Sequence, residues 1–218
     1  MSKLKNREAT ARPTVVIVED ERLMRQFLVE MCQRDYQVVA AVSNGSEALK
    51  ICRELQPNFA IIDIEIPEPD GIAICDQIKA EKLPVKTLLL SSELDPVTIH
   101  RVYQSEADGF VDKIEQPIEE VLKAVETIRL RKPYFSRPAK AIRDELRSNP
   151  EAYYKILSPK ELELMPLFCE GLSDEMIAHR MSFTKHAAHW HRKKITAKLN
   201  LHGTIELMRY GRKIGFWK

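Results

Sequence analysis

The first two-thirds of the chain alternate short apolar runs with stretches whose apolar residues recur at helical spacing. Several of the runs are apolar throughout, as expected of parallel strands that are covered on both faces. The pattern predicts strands at 15–18, 38–42, 59–62, 87–90 and 109–111, and helices near 21–34, 46–55, 71–80, 96–104 and 117–131. Five such βα repeats indicate an α/β domain with a doubly wound, five-stranded parallel sheet and right-handed crossovers.

The pattern changes after residue 131. Three prolines within 132–156 surround one predicted helix at 139–147, which indicates a linker with a single helix. Beyond it the first helix begins with Ser158 and Glu161 as a capping box and Pro159 at the first helical position. Two further helices follow the capping residues Ser173 and Thr184, and a fourth covers 204–213. We therefore predict a small all-α domain at 157–218.

Composition and charge indicate a globular chain with two different halves. Hydrophobic residues make up 44% of the 218 residues and charged residues 30%, without the bias of a disordered protein. Residues 13–130 carry 12 Lys and Arg against 22 Asp and Glu, whereas residues 131–218 carry 18 against 9. The basic half favours a polyanionic partner. Residues 1–13 are predicted to form a flexible tail, and neither a signal peptide nor a transmembrane segment is expected.

Polar side chains follow the predicted strands at their carboxyl ends. They are Glu19 and Asp20 after the first strand, Asp63 after the third, Ser91 after the fourth and Lys113 after the fifth. In an open parallel sheet the functional crevice lies at these ends. Three carboxylates that converge there call for a divalent cation, and oxygen ligands favour Mg²⁺. With a lysine and a hydroxyl beside them, they describe a site where a carboxylate attacks phosphorus while cations neutralise the phosphoryl oxygens.

The assignment of the hydroxyl has an alternative. Ser92 takes the place of Ser91 if the end of the fourth strand is shifted by one residue.

The third predicted helix of the C-terminal domain, 185–199, combines an apolar stripe with a basic outer face. Ala188, His191 and Ile195 fall on the stripe, where a structural role is expected for His191. The outer face offers imidazole, indole and ammonium groups to a DNA major groove and cations to phosphates. The candidate DNA-contacting residues are Lys185, His186, His189, Trp190, Arg192, Lys193, Lys194 and Lys198. For Trp190, packing on the acidic domain or on a second subunit is the alternative.

These motifs resemble those of a known family. Residues 14–131, with the spacing from Asp63 through Pro67 to Asp70, look like a bacterial response-regulator receiver domain, which has a flavodoxin-like fold. Residues 157–218, with their opening at 157–163, look like a LuxR-type helix-turn-helix domain, and the combination is similar to the NarL/FixJ family. The resemblance implies these roles: phosphoacceptor Asp63; Mg²⁺ ligands Glu19, Asp20, Asp63 and the carbonyl of Glu65; switch and phosphate-binding residues Ser91, Phe110 and Lys113.

The resemblance also implies a function. The chain is expected to be a cytoplasmic bacterial regulator that a sensor histidine kinase phosphorylates, that binds double-stranded DNA, and that forms a homodimer when phosphorylated. It is not expected to be a free-standing enzyme or to associate with a membrane. Ala187, Ala188, His189 and Trp190 depart from the family's usual recognition-helix residues. They leave one alternative open, a protein-binding adaptor whose helical domain has lost tight DNA binding.

Overall fold

The computed structural model describes residues 12–113 and 118–217. The chain divides into two compact units, Met1–Glu93 with Arg101–Ala139, and Leu94–His100 with Lys140–Lys218. Residues 1–11, which make up most of the predicted tail, lie outside the described residues. Within the two described ranges, no helix has both the length and the apolar character needed to cross a membrane.

The first unit is built on a parallel sheet with strand order β2-β1-β3-β4-β5-β6. Strands and helices alternate as predicted, and the central strand β3 is buried at every residue, which accounts for its uniformly apolar run. The elements are β1 Thr14–Val18, α1 Arg22–Cys32, β2 Gln37–Val42, α2 Gly45–Leu55, β3 Phe59–Asp63, α3 Gly71–Ala80, β4 Lys86–Ser91, α4 Pro96–Gln104, β5 Gly109–Asp112, α5 Ile118–Arg129 and β6 Tyr134–Phe135.

The sheet has a sixth strand that was not predicted. β6 pairs in parallel with β5, and the Ser136 N–H donates a hydrogen bond to the Phe110 carbonyl at 3.0 Å. The strand has only two residues and follows Pro133, so it carries no periodicity that could be recognised in the sequence. It covers the edge of β5, whose backbone groups would otherwise need another hydrogen-bond partner.

The parallel register brings the carboxyl ends of the central strands to one edge of the sheet. Since neighbouring strands run in the same direction, the residues that follow them lie side by side. The pairs at this edge are Val18 with Ile62, Asp63 with Leu90, and Ser91 with Asp112. The polar residues predicted at the strand ends are therefore neighbours in space.

The second unit contains a helical domain whose helix starts agree with the predicted caps. Ser158 accepts a hydrogen bond from the Glu161 N–H, and the Glu161 carboxylate accepts one from the Ser158 N–H, which completes the capping box. The hydroxyls of Ser173 and Thr184 cap the next two helices, since they accept hydrogen bonds from the N–H groups of Met176 and Ala187. A short helix, α7, was not predicted. The helices are α6 Arg137–Ser148, which begins in the first unit, then α7 Tyr153–Ile156, α8 Pro159–Cys169, α9 Asp174–Met181, α10 Lys185–Lys198 and α11 Thr204–Ile214.

The helical core encloses the apolar stripe of α10. Ala188 and Ile195 are fully buried in it beside Phe168. The ring of His191 stacks on that of Phe183 with centroids 5.5 Å apart. The outer face of α10 is consequently left to its polar and basic residues.

Candidate functional site

The predicted acidic residues come together at the carboxyl edge of the sheet. Glu19 and Asp20 follow β1, Asp63 ends β3, and oxygens of their three carboxylates lie within 4.8 Å of one another. Glu19 is 1% exposed and Asp63 3% exposed, whereas Asp20 is open to solvent. Burying like charges this close together is unfavourable unless cations compensate them.

Lys113 supplies part of that compensation. Its ammonium nitrogen lies 3.0 Å from Asp63 Oδ2 and 3.2 Å from Glu19 Oε2. Burial and the neighbouring Asp63 carboxylate raise the pKa of Glu19 to about 7, against the opposing effect of Lys113. Burial alone would lower the pKa of Lys113, but Asp63 and Glu19 raise it above its ordinary value. The charges of this site are therefore only partly balanced by its own residues.

The donor set fits a hard divalent cation. Asp63 Oδ1 is buried and accepts no hydrogen bond from the residues that the structure describes, which leaves this oxygen available to a cation. Mg²⁺ prefers a few carboxylate oxygens together with water molecules, which the exposed side of Asp20 allows. Glu65 is half-buried in the turn two residues after Asp63, and the role of its carbonyl as a ligand stays a prediction.

The structure distinguishes the two candidate serines. Ser91 ends β4 fully buried, and its hydroxyl accepts a hydrogen bond from the Glu93 N–H at 2.9 Å, whereas Ser92 is exposed. Phe110 is fully buried on β5, between β4 and the additional strand β6. Both positions agree with the roles expected of them, and those roles remain predictions.

One residue that shapes the site has no functional side chain from which a role could be predicted. Gly71 begins α3, and its N–H donates to the Ile64 carbonyl at 3.1 Å. A Cβ atom at this position would collide with the main-chain carbonyl of Asp63. Only glycine lets α3 pack this close to the backbone of the acceptor residue.

The second candidate site is the basic face of α10, where five of the eight predicted DNA-contacting residues form ion pairs with carboxylates. The pairs are Asp174 with Arg192 at 2.7 Å and with His189 at 2.9 Å, Glu175 with Lys185, and Glu161 with Lys198 at 2.6 Å and with Lys194 at 3.6 Å. Arg192 is the most enclosed, because it also donates to the Leu172 carbonyl and lies 4.6 Å above the Phe168 ring. These contacts link α10 to α8 and α9, and DNA contacts by the same residues stay predictions.

The remaining three candidates lie on the open face of α10. Within the described part of the chain, His186 and Lys193 are exposed and form no ion pair. Trp190 is 51% exposed, and the Lys194 ammonium lies 4.6 Å from its ring centroid. This face therefore presents cations and a flat aromatic surface to solvent.

Fold and site together define a class of protein, a receiver domain joined to a helix-turn-helix domain. A family model described as response regulator receiver domain matches residues 15–126, just over half of the chain, and one described as bacterial regulatory proteins, luxR family, matches residues 155–210. The chain therefore belongs to the response regulators, with the domain combination of the NarL/FixJ family.

Similar proteins share this organisation over nearly their whole length. A transcriptional regulator of Pseudomonas aeruginosa is 29% identical over 91% of this chain and 97% of its own. The virulence-factor transcription regulator BvgA of Bordetella pertussis is 28% identical over 89% and 94%. The structure of Salmonella enterica RcsB bound to the promoter P1flhDC matches with a TM-score of 0.66 over 91% and 97%, at 20% identity, which supports the fold.

Proposed function

We propose that this chain accepts a phosphoryl group on Asp63 and, in response, regulates transcription by binding double-stranded DNA as a homodimer. The observation that carries the proposal is the buried Oδ1 of Asp63, which has no hydrogen-bond partner among the described residues and lies beside Lys113 and two further carboxylates. The receiver is proposed to comprise residues 14–131 and the DNA-binding domain residues 157–218, joined by the linker 132–156. A sensor histidine kinase is the proposed donor, and the cytoplasm, where DNA is accessible, the proposed location.

The chemistry follows from the residues at the sheet edge. The Asp63 carboxylate attacks phosphorus in line, the bond from phosphorus to the donor breaks, and the donor leaves with that electron pair. Lys113, already within 3.0 Å of Asp63, neutralises a phosphoryl oxygen of the acyl phosphate. A bound Mg²⁺, held by Glu19, Asp20 and Asp63, would supply the remaining positive charge.

The helical domain supports the second half of the proposal. Residues 158–218 carry 11 Lys and Arg against 6 Asp and Glu, which favours a polyanion. Among similar proteins, BvgA is named a transcription regulator and RcsB is solved on promoter DNA. The exposed face of α10, with Lys193 and His186, is proposed to enter the major groove.

The proposal is tested by selecting fragments of the source genome with the full chain, with and without acetyl phosphate and Mg²⁺. We expect specific fragments to be enriched, and enriched more strongly after phosphorylation, with a dimer in light scattering. An absence of enrichment in both states, combined with intact phosphorylation, would support the adaptor function instead.

Replacing Lys193 with glutamine should weaken DNA binding and flatten its salt dependence. Lys193 is exposed and has no carboxylate partner within the described residues, so its charge is available to a phosphate. The slope of log affinity against log salt concentration should fall in magnitude by about 0.9 per subunit, which is about 1.8 for the dimer. Fluorescence anisotropy over a range of salt concentrations measures it. Lys50→Gln removes the same charge from an exposed position on α2, and an equal loss in both variants would contradict a role for α10.

Glu175→Gln should have the opposite effect. Both Glu175 and Lys185 are exposed, so their ion pair contributes little stability and the lysine can be released. Without the Glu175 carboxylate, Lys185 can contact a phosphate. The slope should then grow in magnitude by up to about 0.9 per subunit, about 1.8 for the dimer, with affinity rising several-fold at low salt. An unchanged slope would place Lys185 outside the DNA contact.

A further inference from the structure

The turn between β1 and α1 is held by a clamp, two hydrogen bonds from one arginine side chain to main-chain carbonyls. This arginine has no part in the phosphoryl transfer described above. Nη1 of Arg25 donates to the main-chain carbonyl of Glu19 at 2.6 Å and to that of Asp20 at 3.1 Å. These are the carbonyls of the two consecutive acidic residues of the sheet-edge site. A single guanidinium nitrogen therefore fixes both peptide groups that carry these carboxylates.

The geometry of consecutive residues explains why such a clamp is needed. Side chains of neighbouring residues in a strand point to opposite faces of the sheet. Glu19 and Asp20 nevertheless direct their carboxylates to one point, so the chain must leave the strand and turn directly after Val18, where β1 ends. The turn brings like charges together, and their repulsion works against it.

The hydrogen bonds that usually fix the chain at the start of a helix are weak in this turn. Among the described residues, the side chain of Glu21, the N-cap of α1, forms no capping bond, and the Glu21 N–H donates to Glu19 Oε1 at a long 3.4 Å. On the strand side, the Glu19 N–H donates to the Val42 carbonyl at 3.0 Å. On the helix side, the link is the side chain of Arg25, which reaches back from the first turn of α1.

We infer that Arg25 is a positioning residue for the metal site, holding Glu19 and Asp20 in the arrangement that binds the cation. The inference rests on the proposed metal-dependent phosphorylation of Asp63. Arg25 touches neither Asp63 nor the carboxylate oxygens in any contact that the structure describes, so it acts through the backbone. Groups that hold metal ligands in place without touching the metal typically change metal affinity by about 10- to 100-fold.

The sign of the effect separates positioning from simple electrostatics. A cation near the site repels a divalent metal ion. If Arg25 had no structural role, removing its charge would therefore leave metal affinity unchanged or increase it. If Arg25 orients the two carboxylates, its removal must weaken binding. The two accounts predict opposite changes.

The experiment measures Mn²⁺ binding to the full chain by electron paramagnetic resonance, since Mn²⁺ accepts the same oxygen ligands as Mg²⁺. Arg25→Met keeps the apolar stem and should weaken binding at least about tenfold. Arg25→Lys, which keeps the charge and a shorter donor, should restore part of it. Arg22→Met, which removes an exposed charge at the start of the same helix, should leave the affinity within about twofold.

Urea unfolding followed by circular dichroism checks that the variants fold. If Arg25→Met does not fold, the comparison is made with Arg25→Lys. The inference would be overturned if Arg25→Lys and Arg25→Met bound Mn²⁺ as tightly as the unmodified chain does. That result would leave the proposed function intact. If the unmodified chain binds no Mn²⁺, the metal-dependent part of the proposed function fails, and the inference fails with it.

Discussion

Asp63→Asn is expected to reduce phosphoryl transfer to this protein from nearly complete to background. An amide is a far weaker nucleophile than a carboxylate, and the substitution also removes the negative charge from the buried side chain beside Lys113. Intact-mass spectrometry after incubation with acetyl phosphate and Mg²⁺ should show one added phosphoryl group on the unmodified chain and none on the variant. Treatment with hydroxylamine should remove the group, because an acyl phosphate is cleaved by it and a phosphoserine is not.

The loss should not come from unfolding. Asp63 raises the pKa of Glu19, so its removal relieves repulsion, and Lys113 retains Glu19 as a partner at 3.2 Å. We therefore expect the metal-free variant to be at least as stable as the unmodified receiver. Asp76→Asn, at an exposed position on α3, is the matched control and should be phosphorylated normally. Unchanged hydroxylamine-sensitive labelling of Asp63→Asn would show that another carboxylate is the acceptor.

The second large effect is expected in the helical domain, where Glu161→Gln should remove up to about 3 kcal/mol of stability at neutral pH. Burial alone would raise the pKa of Glu161, but Lys198 and the Ser158 N–H lower it from 4.5 to about 2. Because the pKa is lower in the folded state, this stabilisation is fully present above about pH 4.5. It is lost progressively as the pH falls toward 2.

The measurement can be confined to the helical domain. Both tryptophans of the chain, Trp190 and Trp217, lie in the second unit, so their fluorescence during urea unfolding reports on that unit alone. Glu163→Gln is the control, because Glu163 pairs with Lys160 on the exposed face of the same helix and should contribute about 0.5 kcal/mol or less. Equal stability of Glu161→Gln and Glu163→Gln across the pH range would contradict the assigned role of the buried carboxylate.

Much of this architecture was predictable from the sequence because its determinants are local. Uniform apolar runs mark strands buried on both faces, and hydroxyl caps such as Ser158 and Thr184 mark helix starts. The acidic site was predictable for a related reason. Once the strands run in parallel, their carboxyl ends must share one edge, so residues far apart in sequence, such as Glu19 and Lys113, are brought together at 3.2 Å.

The tertiary structure decided features that depend on how elements pack. The two-residue strand β6 exists because β5 offers an open edge, not because its residues show a pattern. The ion pairs of α10 depend on helix crossings and rotamers: Asp174 meets Arg192 across 18 positions and Glu161 meets Lys198 across 37. Periodicity assigned these cations to an outer face. Only the tertiary structure shows which of these cations form ion pairs with carboxylates, because charge pairing depends on distances in space that no local sequence pattern contains.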